Sequence, residues 1–460
     1  MTDTAWGDET GMARLVVEWA AKRVVLNSDP NTSARGAEQL RAEAGETITA
    51  KGLGAAAALD VFDRVFAPAT RAQDDPMNLA YIPSAPTQAA IAFDLATSAA
   101  NIFAGIWEVG AGAIFAENEA LAWIRDLLTW PSTSGGTFVS GGTSGNLSAL
   151  HAARWTAQAK RDTRPSGGWA IACTPSAHSS IRAAARVLDV EVVEVPEDES
   201  GRLTGSRLDP VLAEVPGVFA VVATAGTTNA GTVDDLASTA KACREHDVWL
   251  HVDGAYGGAA LAAPSVRSVF DGIEHADSFI VDPHKWLFAP YDSCALLYRD
   301  PALARAAHAQ TASYLDVIDR EAGNPADLAI HLSRRARGLP FWFSLSTHGT
   351  ERYTAAIERT LTTAREVAGY IRNCGHLRLL QEPTLSVVLF DCPGWTDDDY
   401  RSWSTEKAAC GELLCLPTRW RGDVALRMAF VNPATESSRV ISVLAGIRDW
   451  PTGQQVTAQP

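Results

Sequence analysis

Short apolar runs and helical stretches alternate along the middle of the chain, and this alternation indicates the fold. The runs are continuously apolar, and they end in a polar residue or in glycine. Such runs, separated by helical segments, predict a mostly parallel sheet that is covered on both faces. They are Trp169–Cys173, Val190–Val195, Val218–Thr224, Val248–Asp253, Ser278–Val281 and Cys294–Tyr298. We therefore expect an α/β fold in which ligands bind at the carboxyl ends of the strands.

The segments on either side have other patterns. Residues 1–100 show helix-like apolar spacing, and residues 341–460 mix helical and strand-like stretches. The C-terminal pattern consists of a helix over Pro340–Tyr370, strands at Leu385–Phe390 and Val424–Phe430, and a helix near Glu436–Ile447. We predict a helical N-terminal segment (1–100), a large α/β domain (101–340) and a small C-terminal α/β domain (341–460). The tail 452–460 is expected to be disordered.

Composition narrows the class of protein. The 460 residues are 47% hydrophobic and 20% charged, which is typical of a soluble globular protein. With 39 basic and 54 acidic residues the formal net charge is −15, so nucleic acids and anionic membranes are poor partners. No window reaches the roughly 18 consecutive apolar residues of a membrane helix. The N-terminus also lacks the basic start and apolar stretch of a signal peptide.

The cysteines favour a reducing compartment. There are 7 of them, scattered and without a Cys-x-x-Cys pair. An odd number of isolated thiols is typical of a protein whose cysteines stay free. We therefore expect a cytoplasmic location, and we assign no metal-ligand cluster.

The segment Ser140–Asn146 is the first strand end whose residues could bind a ligand. It reads Ser-Gly-Gly-Thr-Ser-Gly-Asn and precedes a helical stretch. Gly142 lets the backbone approach a ligand, Thr143 and Ser144 offer hydroxyls, and a helix start offers free N–H groups. Together they predict a phosphate site. A plain glycine-rich turn with a Ser/Thr cap is the alternative, and the Gly-Lys-Ser/Thr of a Walker A loop is absent.

Two other strand ends place a charged residue in apolar surroundings. Asp253 ends an apolar run, where a carboxylate needs a partner such as the protonated ring nitrogen of a cofactor. Lys285 follows the next run, between His284 and Trp286. Desolvation lowers the pKa of such an amine and makes it a competent Schiff-base nucleophile. The alternatives are a cap or structural ion pair for Asp253 and an amphipathic surface position for Lys285.

Two more strand ends offer groups suited to an aromatic ring. His178 follows Trp169–Thr174 and could stack on a cofactor ring, although a core or capping histidine is the other interpretation. Thr224 begins the segment Thr224–Thr228, whose small side chains and hydroxyls suit close packing against a ring, as in many loops. The joint occurrence of these features at successive strand ends indicates one ligand site.

These motifs, above all Pro283–Trp286 and His251–Gly258, resemble those of the group II pyridoxal-phosphate decarboxylases. That family includes the aromatic-L-amino-acid, histidine and glutamate decarboxylases, and the resemblance covers about Asp75–Arg439. It implies a fold-type-I transferase fold with pyridoxal 5′-phosphate as cofactor. It also implies a homodimer, formed in part by the N-terminal segment, with active sites at the subunit interface.

The resemblance implies roles for individual residues. Lys285 matches the lysine that holds the cofactor as a Schiff base, and Asp253 matches the carboxylate that pairs with the pyridine nitrogen. His178 matches the imidazole stacked on the ring, and Ala255 lies on the other ring face. The remaining expected contacts are Gly142, Thr143, Ser144 and His284 for the phosphate, Thr224 for the ring edge, and Tyr81, Ile82, Pro83 and Trp107 for the substrate pocket.

The chain departs from the family pattern at two places. Asp282 stands where many relatives have an asparagine that helps hold the phosphate, and an ionised carboxylate would repel phosphate unless it turns away or pairs with a cation. In typical decarboxylases a mobile loop carries a tyrosine that protonates Cα, but Asn324–His331 contains none. His331, placed on the substrate side of the site, is therefore a candidate donor, together with Tyr314 and His178.

The expected activity is decarboxylation of an L-amino acid, aromatic or otherwise bulky, to the amine and carbon dioxide. Because the loop tyrosine is absent, oxidative decarboxylation–deamination to an aldehyde, ammonia and peroxide is the alternative. An aminotransferase would need a carboxylate-binding arginine near the C-terminus. Arg427 is a candidate for it, and a structural ion pair is the other interpretation of this residue.

Overall fold

The structure, a computed structural model, describes residues 10–25, 34–161, 163–309 and 323–451. Along the chain it consists of N-terminal helices, a large sheet with its covering helices, and a small C-terminal sheet. The segment boundaries at residues 100 and 340 stay a prediction. The candidate donor Tyr314 and the tail 452–460, for which disorder was expected, lie outside the described residues.

Helices occupy the N-terminal stretch, as predicted. They are α1 (Thr10–Val25), α2 (Ala37–Ala44), α3 (Ala55–Val61) and α4 (Gln88–Ala100). The Thr87 hydroxyl caps α4 by accepting the N–H of Ala90, and Asn101 ends the helix in the left-handed conformation. Neither α2 nor α3 has a buried residue, so these helices present most of their surface outward.

The described residues form a large sheet of seven strands. They are β1 (Gly135–Val139), β2 (Ala170–Cys173), β3 (Glu191–Glu194), β4 (Val218–Thr224), β5 (Trp249–Asp253), β6 (Ser278–Val281) and β7 (Cys294–Tyr298). Their order is β1-β7-β6-β5-β4-β2-β3, and only β7 runs against its neighbours. The prediction of a mostly parallel sheet is confirmed, and each of its six apolar runs contains a strand.

Helices cover both faces of this sheet. They are α5 (Trp107–Leu127), α6 (Gly142–Ala159), α7 (Ser179–Leu188), α8 (Gly205–Glu214), α9 (Leu236–Glu245), the one-turn α10 (Pro283–Trp286) and α11 (Pro301–His308). In β4, Val221 joins the core formed with α8 and α9, whereas Val222 joins the core formed with α6 and α7. This alternation follows the two-residue period of a strand. All seven residues of β4 are buried, as expected for a central parallel strand.

The C-terminal part forms a second, antiparallel sheet. Its elements are α12 (Leu339–His348), α13 (Thr350–Asn373), β8 (Arg378–Gln381), β9 (Val387–Asp391), α14 (Asp397–Ala409), β10 (Leu416–Trp420), β11 (Asp423–Ala429) and α15 (Ser437–Ala445). The strand order is β10-β11-β9-β8. The helix predicted over Pro340–Tyr370 is two helices, because Gly349 with φ 77° separates them. A small C-terminal α/β unit is otherwise confirmed. Within the described ranges, no helix is both long and apolar enough to cross a bilayer.

Candidate active site

The carboxyl ends of the parallel strands converge on a cavity of about 290 Å³. Strands β4 and β5 end side by side, because Thr224 is paired with Asp253 in the sheet register. Loops after β1, β2 and β6 form the other walls. Through Ser176, His178 and Thr228 the cavity adjoins a wider cleft of about 920 Å³. The location agrees with the expectation that ligands bind at strand ends in such sheets.

Most of the cofactor contacts expected from the sequence meet in this cavity, although they come from separate strand ends. Its lining includes Gly142, Thr143, His178, Thr224, Asp253, Ala255, Asp282, His284 and Lys285. Ser144 is outside the lining, and its hydroxyl lies 3.0 Å from that of Ser140. The fold thus assembles one site from residues that are more than a hundred positions apart in sequence.

Lys285 lies in the one-turn helix α10 directly after β6, with 24% of its side chain exposed. Its Nζ is 2.9 Å from Oδ2 of Asp282. Burial by itself lowers the pKa of Lys285, but the attraction of Asp282 outweighs burial, and the pKa lies above its ordinary value. Desolvation acts in the expected direction, but the expected net lowering of this pKa is wrong.

Asp282 is almost fully buried, at 2% exposure. Burial raises the pKa of its carboxyl, but Lys285 and His284 outweigh burial and hold the pKa below its usual value. The Nε2 atom of His284 lies 3.7 Å from Oδ2, whereas Oδ1 has no hydrogen-bond partner among the described residues. Pairing with a cation is therefore how this aspartate is accommodated beside a phosphate-type loop.

Asp253 ends β5 with its carboxylate held by two donors. Oδ1 accepts the backbone N–H of Ala255 at 3.0 Å, and Oδ2 accepts Nδ2 of Asn146 at 2.9 Å. The residue is only 5% exposed, yet it lines the cavity. A carboxylate has acceptor capacity beyond two hydrogen bonds, so Asp253 can face a further N–H that carries positive charge.

His178 caps the N-terminus of α7 and lines the cavity. Its Nδ1 lies 3.2 Å from the backbone N–H of Ser180 and 2.8 Å from that residue's hydroxyl. His178 is therefore a helix cap, as the alternative interpretation proposed, and it also lines the cavity. The cap fixes the ring at the mouth of the wider cleft.

The phosphate-type loop lies at the N-terminus of α6, an 18-residue helix. Gly141 supplies no side-chain cap, so the first N–H groups of the helix remain available to an anion. A Cβ on Gly142 would lie 3.2 Å from Cβ of Ala255 and 3.3 Å from Asp282, so a side chain there would require its neighbours to shift by a few tenths of an ångström. His284 completes this side, its Nδ1 lying 2.7 Å from the carbonyl oxygen of Ser293. Burial lowers the pKa of His284.

The residues expected to contact substrate are placed differently. Within the described chain, none of Tyr81, Pro83, Trp107 and His331 lines the cavity. Tyr81 is 68% exposed, Pro83 is buried in the chain, and Trp107 begins α5. The Nε2 atom of His331 lies 3.1 Å from the carbonyl oxygen of Pro325. Their assignment to a substrate pocket stays a prediction.

Some lining residues were not predicted from the sequence. Tyr291 lines the cavity, and its ring centroid lies 4.7 Å from that of His284. Burial raises the pKa of its hydroxyl. Asn146 also lines the cavity, and the sequence signal that could have indicated it is its position directly after the glycine loop, near the start of α6. Nothing in the local sequence of Tyr291 distinguishes it from a loop tyrosine.

Arg427 of β11 reaches the edge of the site from the C-terminal sheet. Its Nε donates to the carbonyl oxygen of Thr228 at 2.5 Å, and its Nη2 has no partner among the described residues. Burial lowers the pKa of Arg427 to about 10. The structural ion pair considered for this residue is not among the salt bridges of the described residues.

Known proteins share both the sequence pattern and the fold. Residues 39–392 match the family model described as the pyridoxal-dependent decarboxylase conserved domain. The chain is 30% identical over 397 residues to the aromatic-L-amino-acid decarboxylase of Bacillus atrophaeus, covering 82% of this chain and 81% of that protein. It is 33% identical over 349 residues to the L-2,4-diaminobutyrate decarboxylase of Rhizobium meliloti (strain 1021), covering 74% and 69%. The crystal structure of Oryza sativa TDC with PLP and tryptamine superposes with a TM-score of 0.88 at 23% identity, covering 98% of each chain.

The fold and the matched family define a pyridoxal-phosphate enzyme of fold type I. More narrowly, the chain belongs to the pyridoxal-dependent decarboxylase family, whose matched members are carboxy-lyases that act on amino acids. Its cofactor is pyridoxal 5′-phosphate. The cavity fits this group, because an amine, a buried carboxylate and a helix N-terminus stand at separate walls.

Proposed function

We propose that this enzyme decarboxylates an L-amino acid with an aromatic or otherwise bulky side chain, giving the amine and carbon dioxide. The observation that carries the proposal is the meeting of Lys285, Asp253 and His178 with the start of α6 in one cavity. The similarity to an aromatic-L-amino-acid decarboxylase over 82% of the chain supports the substrate class. The adjoining cleft of about 920 Å³ offers room for a bulky side chain.

Each wall of the cavity has a separate task in this proposal. When bound, pyridoxal phosphate supplies the sink for the electron pair that carbon dioxide leaves behind. Lys285 would be the amine that bonds to the cofactor, and Asp253 would be the carboxylate that faces its pyridine nitrogen. The N-terminus of α6, with Gly142 and Thr143, would hold the phosphate, and His284 would stand beside it.

His178 is the proton donor that the described geometry favours. It lines the cavity. The backbone N–H and the hydroxyl of Ser180 both point at its Nδ1, so the proton of the neutral ring resides on Nε2. His331, the other described candidate, has its Nε2 beside Pro325 instead. We therefore propose that His178 holds the proton that is delivered to Cα of the substrate.

A second candidate function is oxidative decarboxylation–deamination to an aldehyde. The observation that favours it is the absence of a tyrosine from Asn324–His331. A panel of L-amino acids, with carbon dioxide, amine, aldehyde and peroxide measured in parallel, distinguishes the two reactions. We expect amine equal to carbon dioxide for at least one bulky substrate. Peroxide equal to carbon dioxide would favour the oxidative reaction, and ketoacid-dependent amine exchange without carbon dioxide would favour an aminotransferase.

We further propose that the enzyme is a cytoplasmic homodimer whose second copy completes the substrate pocket. Large apolar side chains are exposed on one copy, namely Phe62 (41%), Phe66 (38%), Tyr81 (68%) and Phe115 (59%). Such surface is typical of an interface. The free cysteines agree with a reducing compartment. Light scattering should give twice the chain mass of 49.0 kDa, and a fully active monomer would contradict the dimer.

A further inference from the structure

A continuous set of buried polar groups connects Asp253 with His178 along one wall of the cavity and extends behind it to His251 and Ser278. Asn146 is 1% exposed and Ser180 is 3% exposed, while His251 and Ser278 have no exposed surface. Buried polar groups cost free energy unless each has a hydrogen-bond partner. Here each side chain bonds to the next, so the positions of the protons along the set can be derived one after another.

Asp253 determines the orientation of the Asn146 amide. A carboxylate only accepts hydrogen bonds, so the amide atom 2.9 Å from Oδ2 is the nitrogen Nδ2. The same Nδ2 donates its second proton to the Ser180 hydroxyl oxygen at 2.9 Å. The amide oxygen Oδ1 therefore faces the other way, toward His251, and can only accept.

This orientation in turn determines the tautomer of His251. Its Nε2 lies 2.8 Å from Oδ1 of Asn146 and must carry a proton. Burial lowers the pKa of His251 to about 4, although the charge of Asp253 opposes the shift. The ring is then neutral near pH 7, and its Nδ1 accepts the Ser278 hydroxyl at 2.8 Å. Trp249, which can only donate, supplies Nε1–H to the Ser278 oxygen at 2.8 Å.

The other end of the set determines the tautomer of His178. The Ser180 oxygen accepts from Asn146, so its own proton is directed to Nδ1 of His178 at 2.8 Å. The backbone N–H of Ser180 points at the same nitrogen at 3.2 Å. Nδ1 is thus an acceptor, and the neutral ring presents Nε2–H.

We propose that Asn146 and His251 are positioning residues, which hold the Asp253 carboxylate toward the cofactor nitrogen and keep His178 in its Nε2–H tautomer. The inference rests on the roles proposed above for Asp253 and His178. Asn146 acts by donating to both groups at once, and His251 acts by preventing the Asn146 amide from turning over. One amide orientation thereby couples the two functional groups.

The test compares holoenzymes loaded with cofactor that carries nitrogen-15 in the pyridine ring. Solid-state nitrogen-15 NMR reports whether that nitrogen is protonated, without reference to activity. We expect a protonated nitrogen in the wild type and a shift toward the unprotonated position in Asn146→Ala and His251→Leu. His251→Gln retains an N–H donor for Asn146, so its spectrum should return toward that of the wild type.

Ser404→Ala is the matched control, because it removes a buried hydroxyl that donates to Cys415 in the C-terminal unit. Its pyridine signal should equal that of the wild type. Folded Asn146→Ala and His251→Leu holoenzymes with the wild-type signal would overturn the inference. A wild type whose pyridine nitrogen is unprotonated would instead overturn the role of Asp253 in the proposed function.

A second experiment measures the histidine tautomers directly, and the variants that it needs all retain a polar side chain. Ring-labelled histidine in the wild-type holoenzyme gives the tautomer of each imidazole, and the signals are assigned with His178→Gln and His251→Gln. We expect Nε2–H for both rings. Nδ1–H on His251 would overturn the inference even if the apolar variants do not fold.

Discussion

At the scale of single residues, Asp282 governs the state of Lys285. The two side chains are three positions apart and 2.9 Å from each other, in a setting where Asp282 is almost fully buried. Attraction between opposite charges is stronger away from water, so the ion pair outweighs the burial that would otherwise favour a neutral amine. The pKa of Lys285 therefore lies above its ordinary value, which favours the ammonium form of the side chain.

Asp282→Asn should speed the uptake of pyridoxal phosphate by the apoenzyme near neutral pH. The substitution removes the charge that raises the pKa of Lys285, and it removes a negative charge beside the phosphate loop. Uptake is followed by the rise of the visible absorbance after mixing. Asp271→Asn, which alters an exposed carboxylate, should leave the rate unchanged, and an equal or slower rate for Asp282→Asn would contradict this account.

The sequence predicts the cofactor side of the site better than the substrate side. Lys285, Asp253 and His178 each follow an apolar run, and the carboxyl ends of parallel strands lie at one edge of a sheet. Their meeting was therefore predictable. The raised pKa of Lys285 was not, because it depends on the rotamer that turns Asp282 toward Nζ. Tyr81 and Trp107 lie outside the cavity, so their assignment to the substrate pocket stays a prediction.

At the scale of elements, a buried ion pair ties α5 to the chain that leads into α12. Nη2 of Arg334 lies 2.7 Å from Oε1 of Glu117, and the two side chains are 1% and 2% exposed. The same Glu117 oxygen accepts the N–H of Gly338 at 2.8 Å, and Arg334 also donates to the carbonyl oxygen of Ala104. The pair therefore fixes the segment that follows His331 against α5.

Glu117→Leu should be strongly destabilising, because it leaves the Arg334 charge buried without its partner. The expected loss in the free energy of unfolding is about 3–5 kcal/mol, measured by urea denaturation. The double variant with Arg334→Met should recover part of this loss, since both charges are then absent. Asp398→Asn breaks an exposed pair with Arg401 and should have no measurable effect. A double variant less stable than Glu117→Leu would refute the explanation.

Helices and strands can be predicted from the sequence where burial produces a regular pattern of apolar residues. Strand β4 is apolar throughout and was placed with its observed bounds, Val218–Thr224. Strands β8 and β10 were missed because they are only partly buried and contain charged residues such as Arg378 and Arg419. The break at Gly349 was also missed, since apolar spacing continues on both sides and only the backbone shows the left-handed turn.

At the scale of the whole molecule, buried histidines make stability depend on pH. Burial lowers the pKa of His251, His308 and His331 to about 4 in each case, against an ordinary value of 6.5. As pH falls below this value, the unfolded chain binds protons that the folded chain does not. The stability that these histidines contribute is therefore present in full above about pH 6.5 and is lost toward pH 4. Burial raises the pKa of Asp234 to about 7. Its contribution has the opposite pH dependence, because it lowers the stability as pH rises toward 7.

His308→Gln should make the pH dependence of Tm shallower between pH 6.5 and pH 4. Glutamine can keep a donor for the Ser148 carbonyl, which lies 3.1 Å from Nε2 of His308, but it cannot take up a proton. The comparison is made by thermal unfolding of the wild type and the variant in matched buffers. Because Asp234 is common to both proteins, it cancels in the difference. Parallel Tm curves would show that His308 does not contribute.

The central claim is that Lys285 is the residue to which the cofactor is bonded, and the most direct test is borohydride reduction followed by peptide mass mapping. The chain has six lysines, and Lys285 is the one that lines the cavity. We predict a pyridoxyl group on the peptide containing Lys285 and no trapped cofactor in Lys285→Ala. A pyridoxyl group on Lys22, Lys51, Lys160, Lys241 or Lys407, or a wild type that stays colourless with added cofactor, would contradict the claim.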